Sequence, residues 1–314
     1  MAAAGALALG FAATPPAQAD DHPIVIGAAI AQSNWLAVYD LPPIRGVEMA
    51  IDEVNAAAGV NGRMLELRII DSKADPEKNA QAGLQLIDDG AEFLLTSCDY
   101  DQGAPAATEA NAADVPVFSL CAGDHKFGVD GIGPMAFTVT TNATEEGYIG
   151  ADWAHEDRGW RTGYMLFDNT IQYTKGNCNG LKARWEMFGD ATLSVDIFKN
   201  SDQSIAPQIT RLQSADPKPD FVYLCSYNPG GIIAVRQLRA AGVDIPILSN
   251  GALDGSWWKE SVPELSDFYY TVWSSMFGDN PWPGVEEFYA AYEERYGEPS
   301  IHHVVPYKDG WAEA

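Results

Sequence analysis

The segment that decides the fold is AEFLLTSCDYDQGAPAATEANAADVPVFSLCAGD, residues 91–124. It predicts two strands and an intervening helix, at Glu92–Ser97, Val115–Leu120 and Ala104–Ala113. Both strands are short, continuously apolar runs, which is typical of parallel strands that are covered on both faces. Ligands of open parallel sheets bind beyond the carboxyl ends of the strands. We therefore predict that the loops Cys98–Gly103 and Cys121–Asp124 form half of a small-molecule site.

The alternation of strand and helix extends over the rest of the chain. In the first half it predicts strands at Ile24–Ala31 and Met64–Asp71, and helices at Arg45–Ala57 and Asp75–Asp89. After Phe137–Thr141 it restarts, with strands at Thr162–Phe167, Ala191–Phe198, Phe221–Ser226, Pro246–Ser249 and Tyr269–Met276, and helices at Glu145–Asp157, Asn177–Phe188, Ile205–Ser214, Gly230–Ala241 and Val285–Tyr296. Such alternation indicates an α/β fold with two lobes, and the first lobe is predicted to be a doubly wound parallel sheet. The segment Phe221–Gly231 is predicted to supply the other half of the site.

Composition limits the classes of function. The 314 residues are enough for two domains. The chain has 44 acidic and 19 basic residues, a net charge of −25 and a sequence pI near 4.3. This balance argues against binding to nucleic acid or to an anionic membrane, both of which need clustered Lys and Arg. Most of the carboxylates are expected on solvated faces, so the net charge alone does not identify a cationic ligand.

The first 19 residues, MAAAGALALGFAATPPAQA, have the apolar core of a secretory signal peptide, although no basic segment precedes it. Ala17-Gln18-Ala19 fits the cleavage rule, so the mature chain is predicted to begin at Asp20. No later segment approaches ~20 apolar residues, so we expect an exported, soluble, periplasmic monomer without membrane insertion. At the other end, Tyr307–Ala314 looks like the opening turn of a helix, and we expect that a C-terminal portion is absent.

The chain contains four cysteines, which allow three pairings. Export permits disulfides. Cys98 and Cys121 end neighbouring predicted strands, whereas Cys178 and Cys225 belong to the second lobe. If bridges form, we favour these two local pairs. Their spacings match no zinc pattern, so metal binding is the weaker interpretation.

Several motifs resemble one known family. They include IVIGAAIAQSNW at 24–35, AIDEVNAAAGVNGR at 50–63, DFVYLCSYNPGG at 220–231 and YEERYGEP at 292–299. These motifs resemble the branched-chain amino acid class of ABC-transporter substrate-binding proteins, which have the type I periplasmic binding fold. The resemblance implies two Rossmann-like lobes that close over a ligand about a hinge, an ABC permease as partner, and further sequence after residue 314. It divides the chain into a first lobe at 20–139 plus 275–314 and a second lobe at 140–274.

The resemblance also implies binding positions in both lobes. In the first lobe they match Tyr39, Cys98-Asp99-Tyr100-Asp101 and Cys121-Ala122-Gly123. The last two resemble the loops that hold a ligand's carboxylate through backbone amides and hydroxyls. In the second lobe they match the aromatic residues Tyr173 and Tyr227, and the loop Asn250–Asp254, where amino-acid binders place an acid on the ammonium group.

The chain departs from that pattern at three positions. Gly251 stands at the acidic position, with Asp254 three residues later. Gly123 stands where a hydroxyl residue is common, and Tyr100 replaces a small residue. These departures make a larger or aromatic ligand, or one without an amine, an alternative to an α-amino acid.

Aromatic residues and carboxylates are the candidate contacts. Tyr39, Tyr173 and Tyr227 can clamp a ligand by stacking or cation–π contact, and Trp35 can form an apolar wall; ordinary packing is the alternative for all four.

Asp99 and Asp101 can pair with an ammonium or amidinium group, or can form turns or cap a helix. Asp254 has the same two interpretations. Asp124 and His125 are expected to be solvated loop residues.

Catalytic patterns are lacking. The sequence has no G-x-S-x-G, H-E-x-x-H or G-x-x-x-x-G-K-[ST] motif. Ser256–Lys259 matches S-x-x-K without the companion motifs, Gly131–Gly133 lacks the strand-to-helix context of a dinucleotide site, and His302-His303 lacks metal-ligand spacing. We therefore predict no enzymatic activity, cofactor or metal site.

These observations lead to one prediction of function. The protein is predicted to be a solute-binding protein that delivers an amino acid, or a related carboxylate or amide, to an ABC import permease. A binding protein for an aromatic carboxylate and a free-standing ligand sensor are the alternatives.

Overall fold

The computed structural model describes residues 22–263, 265–275, 277–279 and 284–301. The strands are β1 (Ile24–Ile30), β2 (Leu65–Asp71), β3 (Phe93–Thr96), β4 (Val117–Ser119), β5 (Ala136–Thr138), β6 (Thr162–Asp168), β7 (Thr192–Phe198), β8 (Phe221–Cys225), β9 (Ile247–Ser249) and β10 (Phe268–Tyr270). The α-helices are α1 (Ala37–Ala56), α2 (Pro76–Asp88), α3 (Tyr100–Ala112), α4 (Ala143–Asp152), α5 (Gln172–Met187), α6 (Ala206–Gln213), α7 (Gly230–Ala240) and α8 (Val285–Tyr296).

The strands form two parallel sheets of five strands each. Their orders are β2-β1-β3-β4-β5 and β10-β9-β8-β6-β7. In the first sheet, Ile26 of β1 lies beside Leu67 of β2 on one side and Phe93 of β3 on the other. This architecture confirms the predicted α/β fold with two parallel-sheet lobes.

The apolar strands are buried because helices cover both faces of each sheet. In β1, Ile26, Ala28 and Ile30 pack into one core cluster. Val25 and Ala29 point to the opposite face and pack into another. Burying one large aliphatic side chain contributes about 1.5–3 kcal/mol, so these two layers of contacts hold the first sheet between its helices.

The chain crosses to the second sheet after β5 and returns to the first lobe in α8. Phe288 and Tyr292 of α8 are buried against Met49 of α1. Tyr296 donates to Glu48 at 2.7 Å, which adds a polar contact at the end of the same interface. The lobe boundaries at 139/140 and 274/275 stay predictions, and residues 302–314 lie outside the described residues, as do residues 1–19.

Several helices begin earlier than predicted, because their caps come from distant or unexpected residues. Helix α3 begins at Tyr100, not Ala104, since the Asp99 side chain accepts from Gln102 N at 3.2 Å. Helix α5 begins at Gln172, not Asn177, and its first N–H donates to Asp101 Oδ2 of the other lobe at 2.7 Å.

Helix α1 begins at Ala37, not Arg45, despite two internal prolines. Pro42 has no N–H, so the Val38 carbonyl lacks its usual helical donor. Ser300 donates to that carbonyl at 2.6 Å instead. Two later elements also differ from expectation: α4 gives way to a π-helical turn at Trp153–Asp157, and β10 ends at Tyr270.

Both of the favoured cysteine pairs are bonded. The disulfide Cys98–Cys121 joins the ends of β3 and β4, and Cys178–Cys225 joins α5 to β8. Each bridge restricts the unfolded chain, which typically stabilises a fold by about 2–4 kcal/mol. The first bridge also fixes the relative position of the two loops that were predicted to form the first-lobe half of the site.

Candidate functional site

A small cavity of about 40 Å³ lies between the two lobes. Its lining follows the carboxyl ends of three strands of the first sheet and four strands of the second, as the topology of such sheets predicts. The lining residues are Trp35, Leu36, Tyr39, Cys98, Asp99 and Cys121 from the first lobe, and Ile171, Tyr173, Tyr227, Ala252 and Trp273 from the second. The volume is enough for only a few water molecules, so a larger ligand requires the lobes or the side chains to move apart.

The cavity brings together seven of the thirteen predicted binding residues: Trp35, Tyr39, Cys98, Asp99, Cys121, Tyr173 and Tyr227. The remaining six, Tyr100, Ala122, Gly123, Asn250, Gly251 and Asp254, are not among its lining residues. Four lining residues were missed: Leu36, Ile171, Ala252 and Trp273. The strand-then-loop pattern therefore predicted the position of this cavity, although it did not resolve which loop side chains line it.

Tyr39 joins the two lobes through one hydroxyl group. Its oxygen donates to the Ala252 carbonyl at 2.9 Å and accepts from Asn228 N, also at 2.9 Å. The ring of Trp35, on the same lobe, lies 5.0 Å from the ring of Tyr227 on the other. The lobes are thus in direct contact around the cavity.

Asp99 is the acidic group of the cavity. The residue is 5% exposed, and burial together with the charge of Asp101 raises the pKa of its carboxyl to about 8. Its Oδ1 caps α3, whereas Oδ2 accepts no hydrogen bond from any residue in the described ranges. A buried carboxyl oxygen without a donor is costly, so such an atom marks a place where a ligand or water is expected.

Asp40 supports the same loop from behind. Its carboxylate accepts from Ala31 N at 2.7 Å and from Cys98 N at 2.8 Å, which ties α1 to the ends of β1 and β3. Burial raises the pKa of Asp40 to about 6. Because both oxygens are already engaged by the backbone, Asp40 positions the loop of Cys98 and is not itself a ligand contact.

The acidic position expected in the second lobe is occupied by an indole. A Cβ on Gly251 would lie 2.6 Å from Cζ3 of Trp273, so the ring fills the space that a side chain at 251 would need. The nearby acid is Glu146 of α4, which sequence reasoning missed. It accepts from Gly251 N at 2.7 Å, from Tyr173 Oη at 2.8 Å and from the Thr271 hydroxyl.

Glu146 is 4% exposed, and burial raises its pKa above the ordinary value while the bonds it accepts act in the opposite direction. The carboxylate therefore fixes Tyr173 and the Gly251 loop relative to α4. It is a positioning residue for the second-lobe half of the cavity.

The other predicted residues have structural partners. Lys126 Nζ lies over the Tyr100 ring, 5.8 Å from the centroid of that ring. Ala122 N donates to Ser119 Oγ at 2.7 Å, and the Gly123 carbonyl accepts from Ala143 N at 2.6 Å. Asp124 is buried and accepts from Lys126 N, so the expectation that it is solvated was wrong.

The loop after β9 is more buried than expected. Asn250 and Asp254 are fully buried. Both side-chain amide atoms of Asn250 lack a hydrogen-bond partner among the described residues. Asp254 N donates to the Gly251 carbonyl at 3.2 Å, which closes a single helical turn over residues 251–253.

A second pocket of about 500 Å³ runs along the edge strand β10 and shares Trp273 with the cavity. Its lining comes from the second lobe, and its carboxylate, Glu146, is already engaged by three donors. The cavity between the lobes is therefore the better candidate for ligand binding, because both halves of the chain contribute to it.

Metal sites and membrane-spanning helices are both absent from the described residues. That part of the chain holds no group of three or more His, Cys, Asp or Glu side chains with the geometry of a metal site. None of its helices combines the length and apolarity that a membrane crossing requires.

Two parallel-sheet lobes with a shared cavity define a two-lobed binding protein. The chain belongs to the periplasmic binding protein family, whose model matches residues 23–310. Among curated relatives it is similar to Leu/Ile/Val-binding protein homolog 3 of Brucella melitensis, 23% identical over 80% of this chain and 66% of that protein. It is also similar to the leucine-, isoleucine-, valine-, threonine- and alanine-binding protein of Pseudomonas aeruginosa, 27% identical over 63% of this chain and 52% of that protein. The chain thus spans two thirds or less of the length of these relatives.

Solved structures share the fold. The branched-chain amino acid transporter substrate binding protein LivJ of Streptococcus pneumoniae, in complex with isoleucine, matches with a TM-score of 0.83 at 22% identity, over 92% of this chain and 82% of that one. An ABC-transporter solute binding protein of R. palustris in complex with benzoate matches with a TM-score of 0.79 at 17% identity, over 92% and 79%. These likenesses confirm the two-lobed fold that the resemblance implied.

Proposed function

We propose that this protein is an extracytoplasmic solute-binding protein that delivers a small molecule to an ABC import permease by hinge closure. The observation that carries the proposal is the cavity between the lobes, to which both sheets contribute the loops at their strand ends. A ligand held there contacts both lobes at once and so has a higher affinity for the closed form than for the open form. That difference in affinity is what drives closure in such proteins.

The interlobe contacts support this mechanism. Opening the cavity breaks the two hydrogen bonds of the Tyr39 hydroxyl and separates Trp35 from Tyr227. A buried hydrogen bond contributes about 0.5–1.5 kcal/mol net. Contacts of this size stabilise the closed form only weakly. Ligand binding therefore determines whether the open or the closed form is more populated.

The ligand class follows from the relatives. Their names assign them to Leu, Ile and Val, and one matching structure holds isoleucine, so an amino acid or a related carboxylate or amide is the proposed ligand. The aromatic lining of the cavity and the benzoate complex favour an aromatic carboxylate as the second candidate. We propose no catalytic turnover, because the relatives are named as binding proteins.

The test is a search for a bound small molecule. Native mass spectrometry of gently purified protein is expected to reveal a retained ligand, and a thermal-shift screen of amino acids, amides and aromatic acids is expected to raise the melting temperature, since ligand stabilises by RT ln(1 + [L]/Kd). Small-angle X-ray scattering is expected to give a smaller radius of gyration with that ligand. If no small molecule binds by any of these methods, the proposal fails.

Replacing Tyr39 by Phe is expected to weaken ligand binding about tenfold. The variant leaves the Ala252 carbonyl and Asn228 N–H without their partner in the closed form, at a cost of about 1–3 kcal/mol. Isothermal titration calorimetry measures the affinity and scattering measures closure. Tyr148→Phe, which alters an exposed tyrosine of α4, is the control. Unchanged affinity and unchanged compaction in Tyr39→Phe would show that this hydroxyl does not contribute to closure.

A further inference from the structure

The first-lobe half of the cavity presents a carboxyl group where the family resemblance implies that a ligand's carboxylate is held. Asp99 lines the cavity, is 5% exposed, and has an Oδ2 that accepts no hydrogen bond within the described part of the chain. Two of the donors at the start of α3 are already used. Gln102 N binds Asp99 Oδ1 at 3.2 Å, and Gly103 N binds the Asp99 carbonyl at 2.8 Å.

This arrangement disfavours an anionic ligand group. A ligand carboxylate at this position would have to share a proton with the Asp99 carboxyl, because two such groups that close together resist being ionised at the same time. None of the described residues that line the cavity is Lys, Arg or His, so no side-chain cation compensates. Asp40 and Asp101 add further negative charge around Asp99.

The remaining lining suits a cation. Five of the eleven lining residues are Trp or Tyr, and aromatic faces attract cations by about 0.5–2 kcal/mol each, more when water is excluded. Asp99 Oδ2 supplies the charged acceptor that a desolvated ammonium or amidinium group needs.

We propose that the ligand is a small organic cation whose ammonium or amidinium group is bound by Asp99 Oδ2 within this aromatic lining. The proposal rests on the proposed binding function and names the chemical class that the site selects. It narrows the ligand class drawn from the relatives, because it excludes ligands whose only charged group is a carboxylate, including the aromatic carboxylate named above as the second candidate.

The charge state of Asp99 gives the proposal a pH dependence with a definite sign. The pKa of the carboxyl is raised to about 8 in the empty protein, so below that pH a bound cation must displace a proton. The facing groups are Asp40, Asp101, Tyr39 and Tyr227, and the two tyrosines stay neutral because burial raises their pKa values. Affinity for a cation that stays charged is expected to rise about tenfold or more from pH 6 to pH 8.5 and then to level off.

The experiment compares ligands that match in shape and differ in charge. Benzamidine, benzamide and benzoate form one set, and isopentylamine, leucine and 4-methylpentanoate form another. Calorimetry of the wild-type protein is expected to give the order cation, then neutral or zwitterionic ligand, then carboxylate, with at least about a tenfold difference in Kd between cation and carboxylate.

The variant Asp99→Asn removes the negative charge at this position without disturbing the fold. Asparagine is as good a helix cap as aspartate, so α3 keeps its cap while the carboxylate is lost. The variant is expected to bind benzamidine at least about tenfold more weakly, without the rise between pH 6 and 8.5. The control Asp88→Asn removes one exposed charge from the end of α2 and is expected to bind as the wild type does.

Each outcome decides between the two proposals. Tighter binding of carboxylates than of cations, or an Asp99→Asn variant with unchanged cation affinity, overturns the assignment of Asp99 and leaves the binding function intact. Absence of any bound small molecule, in the screen and in native mass spectrometry, overturns the binding function itself.

Discussion

Replacing Gly180 by Ala is expected to lower the free energy of unfolding by about 2–4 kcal/mol, net of the roughly 1 kcal/mol that alanine gains over glycine inside a helix. Helices α4 and α5 cross in backbone contact at this residue. A Cβ on Gly180 would lie 2.2 Å from the Thr144 carbonyl oxygen and 2.9 Å from its carbon. Backbone atoms cannot rotate away as a side chain can, so the helices must separate by an ångström or more. Urea denaturation measures the loss.

The matched control is Gly176→Ala, one turn earlier in the same helix. There a Cβ would lie 3.4 Å from the Ala143 Cβ, an ordinary contact distance. This variant gains the same helix propensity without the overlap, so it is expected to be neutral or slightly stabilising. Equal stability of the Gly180 and Gly176 variants would show that α4 and α5 are not held together by close packing.

The crossing also determines the geometry of the site. Glu146 lies on α4 and Tyr173 on α5, each within two turns of the contact. The reciprocal residue is Gly147, whose Cβ would lie 2.2 Å from the Asn177 carbonyl oxygen. Two glycines facing each other's backbones allow the helices to approach closely enough for the Tyr173 hydroxyl to reach Glu146.

The fold could be predicted because its determinants are local. The continuous apolar composition of β1, β3 and β8 predicts that these strands are buried. Asp75 followed by Pro76 marks the start of α2. In the structure, Asp75 accepts from Lys78 N at 3.0 Å, as a helix cap does. Signals of this kind require only neighbouring residues, so they can be seen in one sequence.

The remaining parts of the site depend on contacts between distant residues. Glu146 binds Gly251 N and the Thr271 hydroxyl, 105 and 125 residues away. The first N–H of α5 is bound by Asp101, 71 residues earlier and on the other lobe, so no local pattern places the start of that helix. The position of Trp273 also depends on distant contacts, since only the fold brings its ring over Gly251.

One signal in the sequence could have pointed to these contacts. An expected acid is absent at position 251, and the first turn of the next predicted helix after β5 contains adjacent Glu145 and Glu146. Adjacent residues of a helix lie about 100° apart, so one of the two can lie on the buried face while the other is exposed, and a buried acid requires donors. The sequence could therefore have predicted a buried Glu in α4, although only the structure identifies the groups that donate to it.

Replacing Glu146 by Leu is expected to destabilise the second lobe by about 3–5 kcal/mol, the largest effect of the substitutions considered. The change leaves Gly251 N–H and the Thr271 and Tyr173 hydroxyls without the buried acceptor that they share. Glu146→Gln keeps one acceptor oxygen, so its free energy of unfolding is expected to fall by less, about 1–3 kcal/mol. Thermal and urea denaturation measure both variants.

The control for both Glu146 variants is Glu145→Gln, the neighbouring exposed residue in the same helical turn. It removes the same charge from the first turn of α4 without removing an acceptor from the Gly251 loop, so its stability is expected to change by less than about 0.5 kcal/mol. Loss of ligand affinity in Glu146→Gln beyond its loss of stability would show that the carboxylate positions Tyr173 against the ligand. If Glu146→Leu is as stable as the wild type, the three donors have found other acceptors and Glu146 does not organise this half of the cavity.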